Sequence, residues 1–216
     1  MHAFTDLATA AYCPRKLYYR RRDGGHEPPP EVLERRELAF RYPSLRESTA
    51  ALRDAPIAAT PTQVRSRLGR AAARLDCWDA IADPPARDVF LEGKDARGIA
   101  HKVLEEPLAP SIVSAGDPPE QGVWAPQSVR AVAAAKALAW ERQQSVERAF
   151  VEYPAHGIVR SVSLTTRRKA RYRRVLRTAE TMDGPPARAG SEAKCGACEY
   201  RSQCGAETRS LASLLR

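Results

Sequence analysis

The pattern of apolar and polar positions divides the chain into helical flanks around a sheet-forming middle. Thr5 stands where it caps a helix over residues 6–12, and Pro14 opens a further turn through the basic stretch RKLYYRRR. DGGHEPPPE, residues 23–31, reads as a loop, and residues 32–53 as weakly patterned helix. Thr60-Pro61-Thr62-Gln63 is a helix start with its own capping box. Val64, Leu68, Leu75, Trp78 and Ile81 then recur at helical spacing, which predicts one helix ended by Asp83-Pro84-Pro85. The period then changes to that of strands. Residues 87–92 and 98–104 read as a pair joined by a turn at Gly93–Arg97, and residues 111–116 as a third strand. Residues 128–144 are a helix, and RAFVEYP and GIVRSVSL form a hairpin around Ala155-His156-Gly157. A basic helix over 165–183, capped by Thr165, leads through a Gly/Pro-rich linker to a cysteine cluster. The sum is an α/β chain with a sheet of about five strands and helical, cysteine-bearing segments at both flanks. Residues 1–190 form one domain and residues 191–216 a tail.

Composition narrows the class. A chain of 216 residues can bury a real core. It has no apolar run long enough to span a bilayer, and its opening MHAFTDLATAAYCPRKLYYRRR lacks the order of a secretory leader, so a cytoplasmic protein without a membrane partner is expected. The net charge is +9, and 29 of the 35 basic residues are Arg. Arg binds phosphate bidentately and stacks on bases, which suits nucleic acid, although a GC-rich coding bias gives the same composition.

Three of the five cysteines, Cys195, Cys198 and Cys204, crowd into KCGACEYRSQC. C-x2-C-x5-C is a metal spacing that still needs a fourth ligand, from Cys13, Cys77 or a His. Cys77 sits beside Trp78 on the apolar stripe of its helix and reads as a core thiol. Cys13 opens a helix at CPRKLYY, where N–H groups and the local dipole favour a thiolate.

One Cys in an N-terminal C-P-R-K-x-Y-Y, followed by a C-terminal C-x2-C-x5-C, resembles the CRISPR-associated RecB-like exonuclease family of the PD-(D/E)xK class. The resemblance implies a restriction-endonuclease-like fold: a central mixed sheet flanked by helices. It also implies that Cys13, Cys195, Cys198 and Cys204 hold a [4Fe–4S] cluster stapling the flanks together, with structural zinc as the alternative. The end motifs and the order of elements carry the likeness. The family's catalytic positions do not. Aligned on GIAHKVL and IVSAGDPP, His101 falls where a metal-binding Asp belongs, Ser114 where Glu or Asp belongs, and Gly116 where Lys belongs. Arg130 and Ala134 replace the Gln and Tyr of the following helix, and His26 lies in the proline loop rather than at the family's upstream His. Five substitutions point to a nuclease fold without nuclease chemistry, Mg²⁺ or Mn²⁺ entering only if activity persists. The alternative is an active single-stranded DNA exonuclease using other acids. Glu92, Lys94 and Asp95 supply a literal E-x-K, but at a turn before the aligned strand, and Asp117 is a weaker candidate.

The basic residues are clustered. Arg15, Lys16, Arg20, Arg21 and Arg22 stand beside Cys13, while Arg167, Arg168, Lys169, Arg171, Arg173, Arg174 and Arg177 share the late helix. Arg15, Lys16, Arg20, Arg167, Arg168 and Arg171 are the candidate phosphate contacts, and Tyr18, Tyr19 and Tyr172 candidate stacking platforms. The partner expected is nucleic acid, most simply DNA. The resemblance adds proteins of CRISPR adaptation as a further class of partner.

Overall fold

The computed structural model describes residues 1–24 and 28–205. In order the elements are β1 (His2–Ala3), α1 (Phe4–Tyr12), α2 (Pro14–Arg22), α3 (Pro30–Glu37), α4 (Tyr42–Glu47), α5 (Thr49–Arg53), α6 (Pro61–Arg74), α7 (Trp78–Ala82), β2 (Ala86–Glu92), β3 (Ala96–Glu105), β4 (Leu108–Val113), α8 (Ala125–Arg142), β5 (Arg148–Tyr153), β6 (Ile158–Ser163), α9 (Thr166–Glu180) and α10 (Glu192–Gly196). Among the described residues six strands form one mixed sheet in the order β1-β3-β4-β5-β6, with β2 on the opposite edge of β3. β1–β3 and β4–β5 are parallel and the other pairs antiparallel.

Helices cover both faces, and strand alternation sorts the side chains between them. One core gathers Phe4, Leu7, Val132, Leu138, Val151 and Tyr172, so α1, α8 and α9 pack on one face. The other gathers Leu38, Tyr42, Leu68, Trp78, Leu104 and Phe150 from the segment 38–82 and the opposite face. α8 buries five alanines, from Ala131 to Ala137, and their small side chains let it lie close on the sheet.

Local signals explain most boundaries. The Thr60 capping box forms in full, with the Thr60 hydroxyl accepting from Gln63 N and Gln63 Oε1 accepting from Thr60 N. Thr165 caps α9 by accepting from Arg168 N. Gly157 closes the β5–β6 hairpin at φ +65°, and a Cβ there would meet Val64 O at 2.7 Å, so both conformation and space require glycine.

Six expectations are corrected. α1 starts at Phe4 with Ala3 as its uncapped N-cap, so Thr5 lies inside the helix. The helix from Pro61 stops at Arg74; Leu75 turns extended, with ψ 117°, and α7 restarts at Trp78 with Cys77 as its N-cap. The expected weak helix over 32–53 is three short helices and a 3-10 turn. The sheet has a further strand, β1, whose two residues pair with Ala96 and Arg97. The basic helix is shorter than 165–183, ending at Glu180, and the third strand is Leu108–Val113.

Candidate thiol centre and strand fork

Cys13 sits at the joint of α1 and α2, where its extended backbone lets one helix end and Pro14 begin the next. α10 and the turns after it bring the tail to this joint. Lys194 Nζ donates to Tyr12 O at 3.2 Å, and Tyr12 Oη donates to Lys194 O at 3.3 Å. Tyr19 Oη donates to Gln203 O at 3.1 Å, and its ring stacks on Tyr200. Lys16 pairs with Glu199 at 3.2 Å.

These contacts bring Cys13, Cys195, Cys198 and Cys204 to the wall of one small cavity of about 20 Å³, with Tyr12, Arg15, Lys16, Lys194 and Arg201 around them. Burial first, and then the Cys198, Cys13 and Cys195 sulfurs, push the Tyr12 phenol up. The Arg15 guanidinium is held above its ordinary value by its hydrogen bond to Tyr19 first, with Cys204 also acting on it. Arg15 donates to Pro186 O at 2.9 Å, yet its buried Nε has no partner among the described residues. Among the described residues no three His, Cys, Asp or Glu side chains stand close enough to hold a single metal ion. Cys77 lies apart, buried in the second core, where burial pushes its thiol up.

The aligned catalytic positions fall where β3 and β4 part. β4 pairs with β3 only up to Lys102–Ser111 and then follows β5, while β1 takes the same edge of β3 at residues 96–97. Between these pairings the edge at 98–101 opens. His101 is buried there, its Nδ1 accepting Val113 N–H at 3.0 Å across the gap. Ser114 is half-buried and accepts from Gln127 Nε2 at 3.4 Å, Gly116 is exposed, Ala134 is buried, and Arg130 is half-buried beside His101. Gly98, at φ +153°, lies under Phe4, whose ring a Cβ would meet at 2.8 Å, so β3 reaches the fork pressed against α1. His26 lies outside the described residues.

The alternative acids lie elsewhere. Glu92 and Lys94 are exposed at the β2–β3 turn, and Glu92 N donates to Glu141 Oε1 at 2.5 Å. Asp95 belongs to the same turn and accepts from His2 N through its carbonyl. Asp117 is taken up by His156, Nε2 to Oδ1 at 2.9 Å.

One ionic pair had no sequence signal that joins its two residues, neither of which is the sole charge in its strand. Lys102 and Glu152 are fully buried and meet at 2.8 Å. Lys102 Nζ also donates to Ala39 O and Ile81 O, both at 2.7 Å, and lies over the Phe40 and Tyr42 rings. Glu152 accepts from Ser111 Oγ at 2.5 Å. Burial pulls the Lys102 ammonium down, opposed by Glu152. All three ammonium hydrogens have acceptors, which makes the pair a brace between β3 and β5 and not a free base.

The basic residues divide by environment. Arg167 and Arg171 are exposed on α9, and Arg168 donates back to Ser163 O at 2.9 Å. Arg15 and Lys16 line the thiol cavity, and Arg20 donates to Thr9 Oγ1 at 2.7 Å. Arg21 reaches Ala179 O, so α2 meets the C-terminal end of α9; at 1.5 Å per residue Arg168 is about 16 Å further along that helix. Arg167, Arg168 and Arg171 therefore lie at the end of α9 away from α2, while Arg173, Arg174 and Arg177 continue the basic run toward it. Tyr172 is buried in the first core and cannot stack on bases, which corrects its proposed role. Tyr18 and Tyr19 pack edge to face.

No family model matches the chain, and comparison with curated proteins gives no match. No helix among the described residues is long and apolar enough to cross a membrane.

Proposed function

We propose that this chain is a nucleic-acid-binding iron–sulfur protein of the CRISPR-associated RecB-like kind, acting in DNA handling or CRISPR adaptation without cleaving the strand by two-carboxylate metal chemistry. The observation that carries the reading is the meeting of Cys13 with Cys195, Cys198 and Cys204 at one cavity. Four thiols are the donor type the implied group takes, although as placed no three described side chains converge on a single metal ion. A four-thiolate centre is anionic, and Arg15, Lys16, Lys194 and Arg201 surround this one. The unpartnered Arg15 Nε is a donor of the kind that steadies a cluster sulfur from the outer shell. The cavity is close to the size of one water. When bound, the cluster supplies a covalent staple between the α1–α2 joint and the tail. The chain's own residues do the rest. Lys16 and Glu199 hold the tail against α2, and Arg167 and Arg171 present exposed guanidinium groups to a phosphate backbone.

The resemblance to an active exonuclease gains no support from the fork, where His101, Ser114 and Gly116 offer no carboxylate.

The test is purification without oxygen, followed by iron, sulfide and zinc analysis of wild type, Cys13→Ala and Cys77→Ala. Iron and sulfide in equal amounts, lost in Cys13→Ala and kept in Cys77→Ala, are expected. Zinc alone, lost in the same variant, selects the mononuclear site. Full metal content in Cys13→Ala refutes the four-cysteine centre.

A further inference from the structure

The strand fork opens into a cavity of about 700 Å³ that the thiol centre does not use. Arg36 from α3, Asp88 from β2, His101 from β3 and Arg130 from α8 line it. In a nuclease of the resembling class this place would hold a cation between carboxylates. Here Glu37, Asp88 and Glu199 share the lining with Lys16, Arg20, Arg36 and Arg130, and the groups that meet at the fork itself are two guanidiniums.

Arg36 and Arg130 each have a buried Nε with no hydrogen-bond partner, and among the described residues neither forms an ion pair. Burial, and after it the neighbouring Arg36, pulls the Arg130 guanidinium down to about 10. Burial pulls Arg36 down as well, with Asp88 acting against it. Two guanidinium groups thus face one space in mutual repulsion. The acids lining the cavity, Asp88, Glu37 and Glu199, do not neutralise them within ion-pair distance, and Glu199 is taken by Lys16. Buried charge without a partner is costly, and a guanidinium is built to bind an oxyanion through paired N–H groups. His101 adds a donor. Its Nδ1 accepts from Val113 N, so the neutral ring carries its proton on Nε2. Asp88, opposite His101 on β2, stands at φ +48°, a left-handed conformation of the kind found where a site holds the backbone.

We propose that this cavity is a phosphoryl-binding site, in which Arg36 and Arg130 hold the oxygens of a phosphate group and His101 donates a further hydrogen bond. The assignment is independent of the iron–sulfur reading. The phosphate comes either from free inorganic phosphate or from a nucleic-acid strand. Leu33, Phe90 and Ile99 line the same cavity and are 46%, 56% and 45% exposed, which gives a base or sugar an apolar face to rest on.

The experiment measures inorganic phosphate binding to the full chain by calorimetry and by thermal shift, at fixed ionic strength with chloride as the control. Phosphate is expected to raise the melting temperature in a concentration-dependent way, as any ligand of the folded state does. Arg130→Gln and Arg36→Gln should each weaken it at least about 10-fold, the loss of a charge-assisted hydrogen bond. In phosphate-free buffer Arg130→Gln should melt no lower than wild type, because it removes a half-buried charge that has no ion-pair partner among the described residues; a large fall there would instead assign Arg130 a structural partner and overturn the proposal. Arg130→Lys, which keeps the charge and loses the fork, should also bind more weakly. A second arm compares 5′-phosphorylated with 5′-hydroxyl oligonucleotides. Preference for the phosphorylated strand, weakened by Phe90→Ala, assigns the site to a strand end. Phosphate binding without that preference assigns it to the free ion. No phosphate-specific shift at millimolar concentration, or equal binding by wild type and Arg130→Gln, overturns the site.

Discussion

Glu152→Gln removes one charge from between β3 and β5 and leaves its partner in place. Lys102 is fully buried, and Glu152 is the only carboxylate among its three hydrogen-bond acceptors. The variant keeps the shape of the side chain, but its one carbonyl accepts from Ser111 or from Lys102 and not from both, so the lost charge is joined by one lost hydrogen bond. Removing one member of a buried pair costs about 3–5 kcal/mol, because the remaining ion stays out of water. The two carbonyls and the Phe40 and Tyr42 rings that Lys102 retains place the expected loss toward the lower half of that range. For a chain of this size about 2–4 °C of melting temperature follows each kcal/mol, so a fall of roughly 6–16 °C is expected. Thermal melts followed by circular dichroism read it directly. Lys102→Met combined with Glu152→Gln should melt above Glu152→Gln alone, since the uncompensated ammonium is then gone. A fall of less than about 3 °C in the single variant, or a double variant showing the plain sum of both losses, would refute the account of Lys102 and Glu152 as a coupled brace.

Replacing Arg167, Arg168 and Arg171 with Gln should weaken nucleic-acid binding for all sequences alike and reduce the salt slope by roughly one unit per lost phosphate contact; an unchanged slope excludes this end of α9 from the interface. End-labelled single-stranded DNA with Mg²⁺ or Mn²⁺ should stay intact, and cleavage abolished by Glu92→Ala or Lys94→Ala would restore the turn at 92–94 as an active site. Burial first, then Arg130, Arg36 and Lys102, hold the His101 imidazole well below 6.5. The unfolded chain therefore takes up a proton as pH falls through about 6.5 while the folded chain does not, and stability drops by up to about 1.4 kcal/mol per pH unit below that point and not above it. His101→Gln should flatten this acid limb of the melting profile, and identical limbs in both proteins would remove His101 as its cause.

Local chemistry makes much of the fold legible in the sequence. The Thr60 box, the Thr165 cap and the change from helical to strand period each act within a few residues, so their signal survives in the sequence. The break between α6 and α7 left no such mark. Leu75, Trp78 and Ile81 keep helical spacing although the backbone turns extended at Leu75, because all three face the same core. β1 is too short to carry a period. Within the tail, the spacing of Cys195, Cys198 and Cys204 could be read directly, but their meeting with Cys13 could be expected only from a resemblance. The fork is legible through GIAHKVL and IVSAGDPP, but the meeting of two guanidinium groups there is not: Arg36 lies in a weakly patterned segment and reaches the cavity beside Arg130 only in the fold. Lys102 and Glu152, 50 residues apart, were hidden for a similar reason. A charge inside a strand does not name its partner.

The clasp between Tyr12 and Lys194 also fixes an order of events during synthesis. These residues are 182 positions apart. At about 5–20 residues per second, the helix that presents Cys13 leaves the ribosome roughly 10–40 s before the segment that covers it. Throughout that interval the Cys13 thiol has no companion and is open to oxidants. The thiol cavity comes into existence only after Cys204 has been made, whatever its eventual contents. A chain that stalls or is truncated before that point retains its sheet-forming sequence but lacks the cavity, so occupancy of the centre would report that translation ran to the tail.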